Sequence, residues 1–168
     1  GEGRFGNWLE NMVDWNLSRS RYWGTPLPIW RTEDGTEEIC IGSIAELTAG
    51  FIAAKEKGYN KDVQLQIIDG KLDVDLHKPF VDQIELLSAT GQSMKRVSDL
   101  VDVWFDSGAM PYAQWHYPFE NKDLIDKGEA FPADFICEGV DQTRGWFYTL
   151  HTLGVLLFDS VAYKAVMS

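Results

Sequence analysis

The chain has 168 residues, of which 45% are hydrophobic and 24% charged, and its formal net charge is −11. This size and composition suit about one folded domain and exclude a disordered chain. The acidic excess opposes nonspecific binding to nucleic-acid backbones and to anionic membranes. No apolar run approaches the length of about 20 residues that a membrane-spanning helix needs, and no signal-peptide pattern is visible. We therefore expect a cytoplasmic protein with no membrane partner.

The sequence contains no motif of a nucleophilic or metal-dependent hydrolase. Cys40 and Cys137 lack the Cys-x-x-Cys spacing of zinc sites and lie in apolar runs, so we expect them to be reduced core thiols. The three histidines are scattered, and no Ser-His-Asp set or glycine-rich phosphate loop can be assembled. Seven tryptophans are many for this length, which predicts that several of them line a pocket.

The first thirty residues predict a helix followed by an extended segment. Apolar residues recur at helical spacing over residues 4–16, which predicts an amphipathic helix that packs on a sheet. Pro26 and Pro28 exclude a helix in the next segment, so we predict a loop that enters a short edge strand. Arg19 and Arg21 alternate within this loop and could meet either a phosphate or an internal carboxylate.

A hairpin and a helix are predicted after this loop. An Asp-Gly turn at 34–35 separates two short apolar segments, 29–30 and 39–41, as in a hairpin. The helix is predicted over residues 43–57, because its initial serine is followed three positions later by Glu46 in a capping-box pattern.

A loop and a second hairpin complete the middle of the chain. Residues 59–75 are weakly patterned and are predicted to be a loop, with one short apolar piece at 63–68. Segments 84–87 and 94–97 flank a glycine-containing turn and predict the hairpin. We interpret residues 34–99 as a small α+β insertion.

The last third of the chain predicts an alternation of strands and helices. Its predicted elements are a strand at 100–105, an irregular loop at 110–121, a helical turn at 123–128, a strand at 131–137, a helix at 141–158 and a strand at 161–167. Residues 106–108 break the first of these strands. This order is typical of an α/β fold with a parallel sheet.

Residues 138–147 lie between a predicted strand and a predicted helix and hold most of the candidate binding groups. Ligands of open α/β sheets bind at such corners, because strand ends and helix N-terminal amides converge there. Glu138 and Asp141 supply two carboxylates, of which capping the helix needs only one. The other is free to accept hydrogen bonds from ribose or to pair with an ammonium group, beside Gln142. Gly139 permits close approach of a ligand, so we predict a site for an amino acid and a nucleotide.

Trp104 and Trp146 are predicted to face each other across the same crevice. If neighbouring parallel strands carry them, the two indoles form a flat apolar slot. Burying a branched four-carbon side chain there would contribute about 2 to 3 kcal/mol. The alternative is that both tryptophans are core residues, and their spacing alone does not decide between the two.

Three blocks of the sequence resemble the isoleucyl-tRNA synthetase family of class I aminoacyl-tRNA synthetases. The blocks are DWNLSRSRYWGTPLPIW at 14–30, DVWFDSG at 102–108 and EGVDQTRGWF at 138–147. The first block is shared with the valyl and leucyl enzymes, whereas the third is the isoleucyl form. Residues 75–82 also resemble the second, smaller insertion of this family.

The resemblance implies a fold and a domain organisation. The fold would be α/β, the second half of a Rossmann-like nucleotide-binding fold with a small α+β insertion. Residues 1–33 would be the catalytic-domain segment that follows the editing insertion, residues 34–99 the small insertion, and residues 100–168 the second half of the catalytic domain.

The resemblance also implies an activity and its residues. The parent enzyme would activate isoleucine with ATP, brought as its magnesium complex, and transfer it to tRNA(Ile). Glu138 would contact the adenylate, while Gly139, Asp141 and Gln142 would surround the ribose and the amino acid. Trp104 and Trp146 would form the pocket for the aliphatic side chain. The reaction is an in-line displacement that needs positioning and charge stabilisation but no protein nucleophile.

Two phosphate-binding motifs of the family do not occur in the sequence. These are His-x-Gly-His and Lys-Met-Ser-Lys-Ser, and the editing and anticodon-binding segments do not occur either. We therefore expect a piece of the catalytic region that is inactive alone, holds no cofactor, binds its ligand only weakly and self-associates through bare sheet edges. The alternatives are a valyl-type fragment, a noncatalytic module that grips the tRNA acceptor end, and a scaffold that binds nothing.

Overall fold

A computed structural model describes residues 3–168, which lie in two compact units. The terminal unit combines the chain up to Leu17 with Asp102–Ser168, and the central unit is Ser18–Val101. The helices are α1 (Arg4–Glu10), α2 (Ile44–Glu56), α3 (Val103–Ala113), α4 (Lys122–Asp126) and α5 (Trp146–Phe158). The strands are β1 (Ser18–Arg19), β2 (Ile29–Thr32), β3 (Glu38–Cys40), β4 (Gln66–Ile68), β5 (Lys71–Asp73), β6 (Leu86–Leu87), β7 (Ser93–Arg96), β8 (Leu100–Val101), β9 (Ala133–Cys137) and β10 (Tyr163–Met167). Val81–Gln83 and Val140–Arg144 are 3₁₀ helices.

The main sheet of the central unit has four antiparallel strands in the order β3-β2-β7-β6. Both predicted hairpins, β2–β3 and β6–β7, are confirmed. The prediction that β2 is an edge strand is wrong, because β2 pairs with β3 on one side and β7 on the other. Its burial alternates, with Trp30 and Thr32 buried and Arg31 exposed, as expected for a strand with one face on the core.

A short hairpin, β4–β5, occupies part of the segment that was predicted to be a loop. Asp69 and Gly70 connect the two strands, and both have positive φ, 49° and 75°. An Asp-Gly pair of this kind is a strong signal for a two-residue hairpin turn. The signal was therefore present in the sequence, but the weak apolar pattern around it hid the strands.

The core of the central unit contains a charged side chain. Arg96 is buried, and its Nε donates to Asp82 Oδ1 at 2.6 Å. Its Nη1 donates to the carbonyl oxygens of Leu27 and Asp99, at 3.1 and 2.9 Å. These bonds offset the desolvation of the guanidinium and tie the segment before β2 to the end of β7.

Helix α2 begins with the predicted cap. Ser43 Oγ accepts a hydrogen bond from the Glu46 amide at 3.1 Å. In turn, Glu46 Oε2 accepts from the Gly42 amide at 2.8 Å, one residue before the position expected for a capping box. The capping prediction is thus confirmed, with a different partner for the glutamate.

Removing this cap should loosen α2 locally. We expect Ser43→Ala to destabilise the helix by about 1 kcal/mol, because the Glu46 amide loses its acceptor. Amide hydrogen exchange across α2 should become about fivefold faster. Ser98→Ala, at an exposed serine outside the helices and strands, is the matched control and should leave the exchange unchanged. Equal effects of the two substitutions would contradict the capping role.

In the terminal unit, the segment after β8 differs from its prediction. A strand through residue 105 and a loop from residue 110 were expected, but residues 103–113 form α3. Asp102 is the N-cap, since its Oδ1 accepts from the Trp104 amide at 3.3 Å. A Cβ on Gly108 would lie 3.0 Å from side-chain atoms of Thr149 and Leu153, so this glycine permits close packing of α3 on α5. The short apolar run fits strand and helix equally, and this packing selects the helix.

Strands β9 and β10 are parallel, and α5 connects them, as predicted. Helix α5 packs on α3 through a core that includes Tyr112 and Leu150. Burial raises the pKa of the Tyr112 hydroxyl to about 12, because desolvation disfavours the charged phenolate. The predicted helix over residues 4–16 is shorter than expected and ends at Glu10.

The two cysteines are free thiols, as expected, but they are not core residues. Cys40 lies at the end of β3 and Cys137 at the end of β9, and both are exposed. Successive side chains of a strand point to opposite faces, so each cysteine faces away from the adjacent apolar residues that suggested burial.

Candidate functional site

The candidate site is the corner between β9 and α5, residues 138–145. Strand β9 ends at Cys137, a 3₁₀ helix spans Val140–Arg144, and α5 starts at Trp146. The corner therefore lies at the carboxyl end of a parallel strand and at the N-terminus of the crossover helix. This is the position where α/β folds bind ligands. The short connection brings Glu138 and Asp141 to the same end of the sheet.

Gln142 caps the first turn of α5, a role that the sequence had suggested for a carboxylate. Its Oε1 accepts from the Trp146 amide at 3.0 Å. The capping role expected of Glu138 or Asp141 is therefore wrong, because the 3₁₀ turn places the amide of Gln142 beneath the helix end. Within residues 3–168, Glu138 makes no side-chain hydrogen bond or ion pair, and it is exposed. The Asp141 carboxylate accepts a long bond, 3.4 Å, from Gln142 Nε2.

Two glycines are required by the packing of the corner. A Cβ on Gly139 would lie 2.5 Å from Asp141 Oδ1, so the carboxylate folds over this residue. A Cβ on Gly145 would lie 2.6 Å from Gln142 Oε1 and 3.3 Å from Trp104 Cη2. Any side chain at either position would therefore displace a group of the candidate site.

Trp104 and Trp146 both lie beside the corner, but on different elements from those predicted. Trp104 stands in the first turn of α3 rather than at the end of a strand, and 43% of its surface is exposed. The Trp146 indole N–H donates to the Ser107 carbonyl at 3.0 Å, and its ring packs on the core of the terminal unit. The ring contacts of residues 3–168 do not include a Trp104–Trp146 pair. The two-indole slot therefore stays a prediction.

A cavity of about 130 Å³ opens next to the corner. Its lining residues are Trp15, Trp104, Arg144, Gly145, Tyr148 and Thr149. Of the predicted site residues, only Trp104 is among them.

The buried carboxylate of Asp102 holds two walls of this cavity. Its Oδ2 accepts from Trp15 Nε1 at 2.9 Å, while its Oδ1 caps the helix that carries Trp104. Trp15 belongs to the sequence block at 14–30 and Asp102 to the block at 102–108, and the fold shows that their side chains are hydrogen-bonded.

Helix α1 packs on α5 and on the corner, whereas the sequence predicted packing on a sheet. Phe5 meets His151, and Trp8 meets Tyr148, each in an edge-on ring contact. The Arg144 guanidinium lies over the Trp8 ring, with Cζ 4.9 Å from the ring centroid. The amphipathic pattern predicted the helix correctly but could not identify what its apolar face contacts.

Residues 3–168 contain neither a candidate membrane-spanning helix nor a candidate metal-binding cluster. None of their helices has both the length and the apolar character to cross a membrane. In the same part of the chain, no three His, Cys, Asp or Glu side chains are placed to hold a metal ion.

Comparison with known proteins identifies close relatives. The chain is 63% identical over 180 residues to an isoleucine–tRNA ligase of Bacteroides thetaiotaomicron, covering 100% of the chain and 15% of that protein. It is 51% identical over 166 residues to an isoleucine–tRNA ligase of Thermus thermophilus, covering 99% of the chain and 14% of the relative. The chain thus spans about one seventh of the length of these relatives.

A solved structure and a family model agree with this likeness. The structure is agnB2 LeuRS of Agrobacterium radiobacter K84 in a LeuRS-tRNA-LeuAMS ternary complex, with a TM-score of 0.54 at 17% identity. The match covers 94% of this chain and 19% of that chain, and it supports the predicted α/β fold class. The family model described as tRNA synthetases class I (I, L, M and V) matches residues 1–168. The chain therefore belongs to the class I tRNA synthetase family.

Proposed function

We propose that the chain is part of an isoleucyl-tRNA synthetase. The parent enzyme would activate isoleucine with ATP to isoleucyl adenylate and transfer it to tRNA(Ile) in the cytoplasm. The observation that carries this proposal is the identity of 51 to 63% to isoleucine–tRNA ligases over nearly the whole chain. A valyl-type enzyme is less favoured, because these relatives are isoleucine–tRNA ligases.

The corner supplies the groups that an aminoacyl adenylate needs. Glu138 and Asp141 are not used to cap α5, so both carboxylates are available to ribose hydroxyls or to an ammonium group. The Oε1 of Gln142 accepts from the first turn of α5, and its Nε2 donates to Asp141. We therefore assign Gln142 to orienting the Asp141 carboxylate. We assign Gly139 to close approach of the ligand and Trp104 and Trp146 to the aliphatic side chain.

The proposed chemistry requires no nucleophile from the protein. The carboxylate of isoleucine attacks the α-phosphorus of ATP, a bond to that phosphorus forms, and pyrophosphate leaves. Catalysis of such a displacement comes from holding the reactants in line and stabilising the charge. Magnesium would arrive with ATP. The residues of this chain would bind the adenylate and exclude water, while the phosphate-binding motifs would lie elsewhere in the parent protein.

The test is ATP–pyrophosphate exchange by the full-length protein that contains these residues. We expect isoleucine to drive exchange with a kcat/KM at least about fourfold above that of valine, since burying one more methylene contributes about 0.8 kcal/mol. The isolated 168 residues are the control and should show no exchange. Exchange driven better by valine, or by neither amino acid, would refute the isoleucyl assignment.

The predicted self-association of the isolated chain also stays a proposal. The β9–β10 sheet has two strands, and Phe135, Val166 and Met167 on these strands are about half exposed. Bare edges and apolar faces of this kind favour pairing with another chain.

A further inference from the structure

We propose that Trp8 is a positioning residue for the corner and that it acts through Arg144. Trp8 lies in α1, far from the corner in sequence, and is not among the residues that line the cavity beside Trp104. The inference rests on the proposed function, since the corner is the site whose geometry Trp8 would maintain.

The first argument is the contact between the two side chains. The guanidinium of Arg144 lies 4.9 Å from the centroid of the Trp8 ring. Within residues 3–168 this arginine forms no ion pair with a carboxylate, so the indole is its main partner. A planar guanidinium stacks on an aromatic face and keeps its N–H edge available, which an ammonium group cannot do.

The second argument is that the Trp8 ring is itself held in place. It contacts the Tyr148 ring of α5 edge-on, with centroids 6.3 Å apart and planes at 80°. Its indole N–H is buried and has no partner among the described residues. A buried, unpaired N–H is unfavourable, so hydrogen bonding does not explain why a tryptophan is placed here. The polar contact that Trp8 makes is through the face of its ring, over which the Arg144 guanidinium lies.

The third argument is the place of Arg144 in the corner. It is the last residue of the 3₁₀ helix that contains Asp141 and Gln142, and it is followed by Gly145. It also lines the cavity beside Trp104. A contact that holds Arg144 in place therefore also holds the end of this 3₁₀ helix, in which Asp141 supplies the carboxylate and Gln142 caps α5.

The test uses steady-state ATP–pyrophosphate exchange by the full-length protein. We expect Trp8→Leu to raise the KM for isoleucine or for ATP about fivefold, the effect of losing one cation–π contact. Trp8→Phe keeps an aromatic face and should stay within twofold of the unchanged protein. Arg144→Lys keeps the charge but loses the planar guanidinium that lies over the Trp8 ring, and it should match Trp8→Leu. The double variant Trp8→Leu/Arg144→Lys should be no worse than either single variant, because both remove the same contact.

Phe5→Leu is the matched control. Phe5 lies one turn earlier on the same helix and packs on His151 of α5, away from Arg144. It should lower the melting temperature about as much as Trp8→Leu does, and it should leave both KM values unchanged. A lower melting temperature without a KM change in Trp8→Leu, or additive effects in the double variant, would overturn the proposal. Absence of isoleucine-dependent exchange in the unchanged protein would instead refute the proposed function.

Discussion

Replacing Gly145 with alanine in the full-length protein should lower kcat/KM for isoleucine-dependent ATP–pyrophosphate exchange by about 100-fold, the effect of a displacement of about 1 Å in a reacting group. The new Cβ would lie 2.6 Å from Gln142 Oε1 and 3.3 Å from Trp104 Cη2. The Gln142 side chain could move away only by breaking its bond to the Trp146 amide, which would uncap α5. Both the corner and one wall of the cavity would therefore shift.

A second glycine provides the control for this substitution. A Cβ on Gly42 would meet only Glu46 Oε2, at an ordinary contact distance of 3.6 Å. Gly42→Ala should therefore keep kcat/KM within about twofold of the unchanged protein. If Gly145→Ala also stayed within fivefold, the proposed dependence of activity on the geometry of the corner would be wrong.

Trp30→Ala should produce the largest loss of stability, about 4 kcal/mol in the unfolding of the central unit. The side chain is 2% exposed and is one of the largest fully buried groups of the protein. Its Nε1–H donates to the Ile84 carbonyl at 2.8 Å, so the substitution leaves both a cavity and an unpaired buried acceptor. Hydrogen exchange of the Leu86 and Met94 amides should become about 1000-fold faster, which corresponds to this free energy.

Ile67→Ala is the control for this prediction. Ile67 lies in β4 and is 47% exposed, so its truncation creates no closed cavity. We expect a loss below about 1 kcal/mol. Exchange that accelerates equally in the two variants would show that Trp30 is not the centre of this core.

The elements that were predicted correctly depend on local chemistry. The turn at 34–35 lies between two short apolar strands, and Ser43 and Glu46 stand at the spacing of a helix start. The strand–helix–strand order of the last third predicted the parallel β9–α5–β10 unit for the same reason. In each case the residues that determine the element lie within a few positions of one another.

The elements that were predicted wrongly depend on distant contacts. Residues 100–105 form one apolar run, and nothing in that run shows that the chain turns into a helix after Val101. The helix is stabilised by the Asp102 cap and by close packing of Gly108 on Thr149 and Leu153. Likewise, β2 became an interior strand only because β7, far along the chain, pairs with it.

The family and the position of the polar corner follow from the order of the amino acids alone, because sequence blocks and strand–helix alternation can be recognised within short windows. How the corner residues are used depends on tertiary contacts: Gln142 caps α5, both carboxylates are left free of that role, and the Arg144 guanidinium lies over the Trp8 ring. The tertiary structure also joined Trp15 to Asp102, 87 positions apart, to hold the cavity wall. Such partners are chosen by packing between elements, and no local pattern of residues encodes that choice.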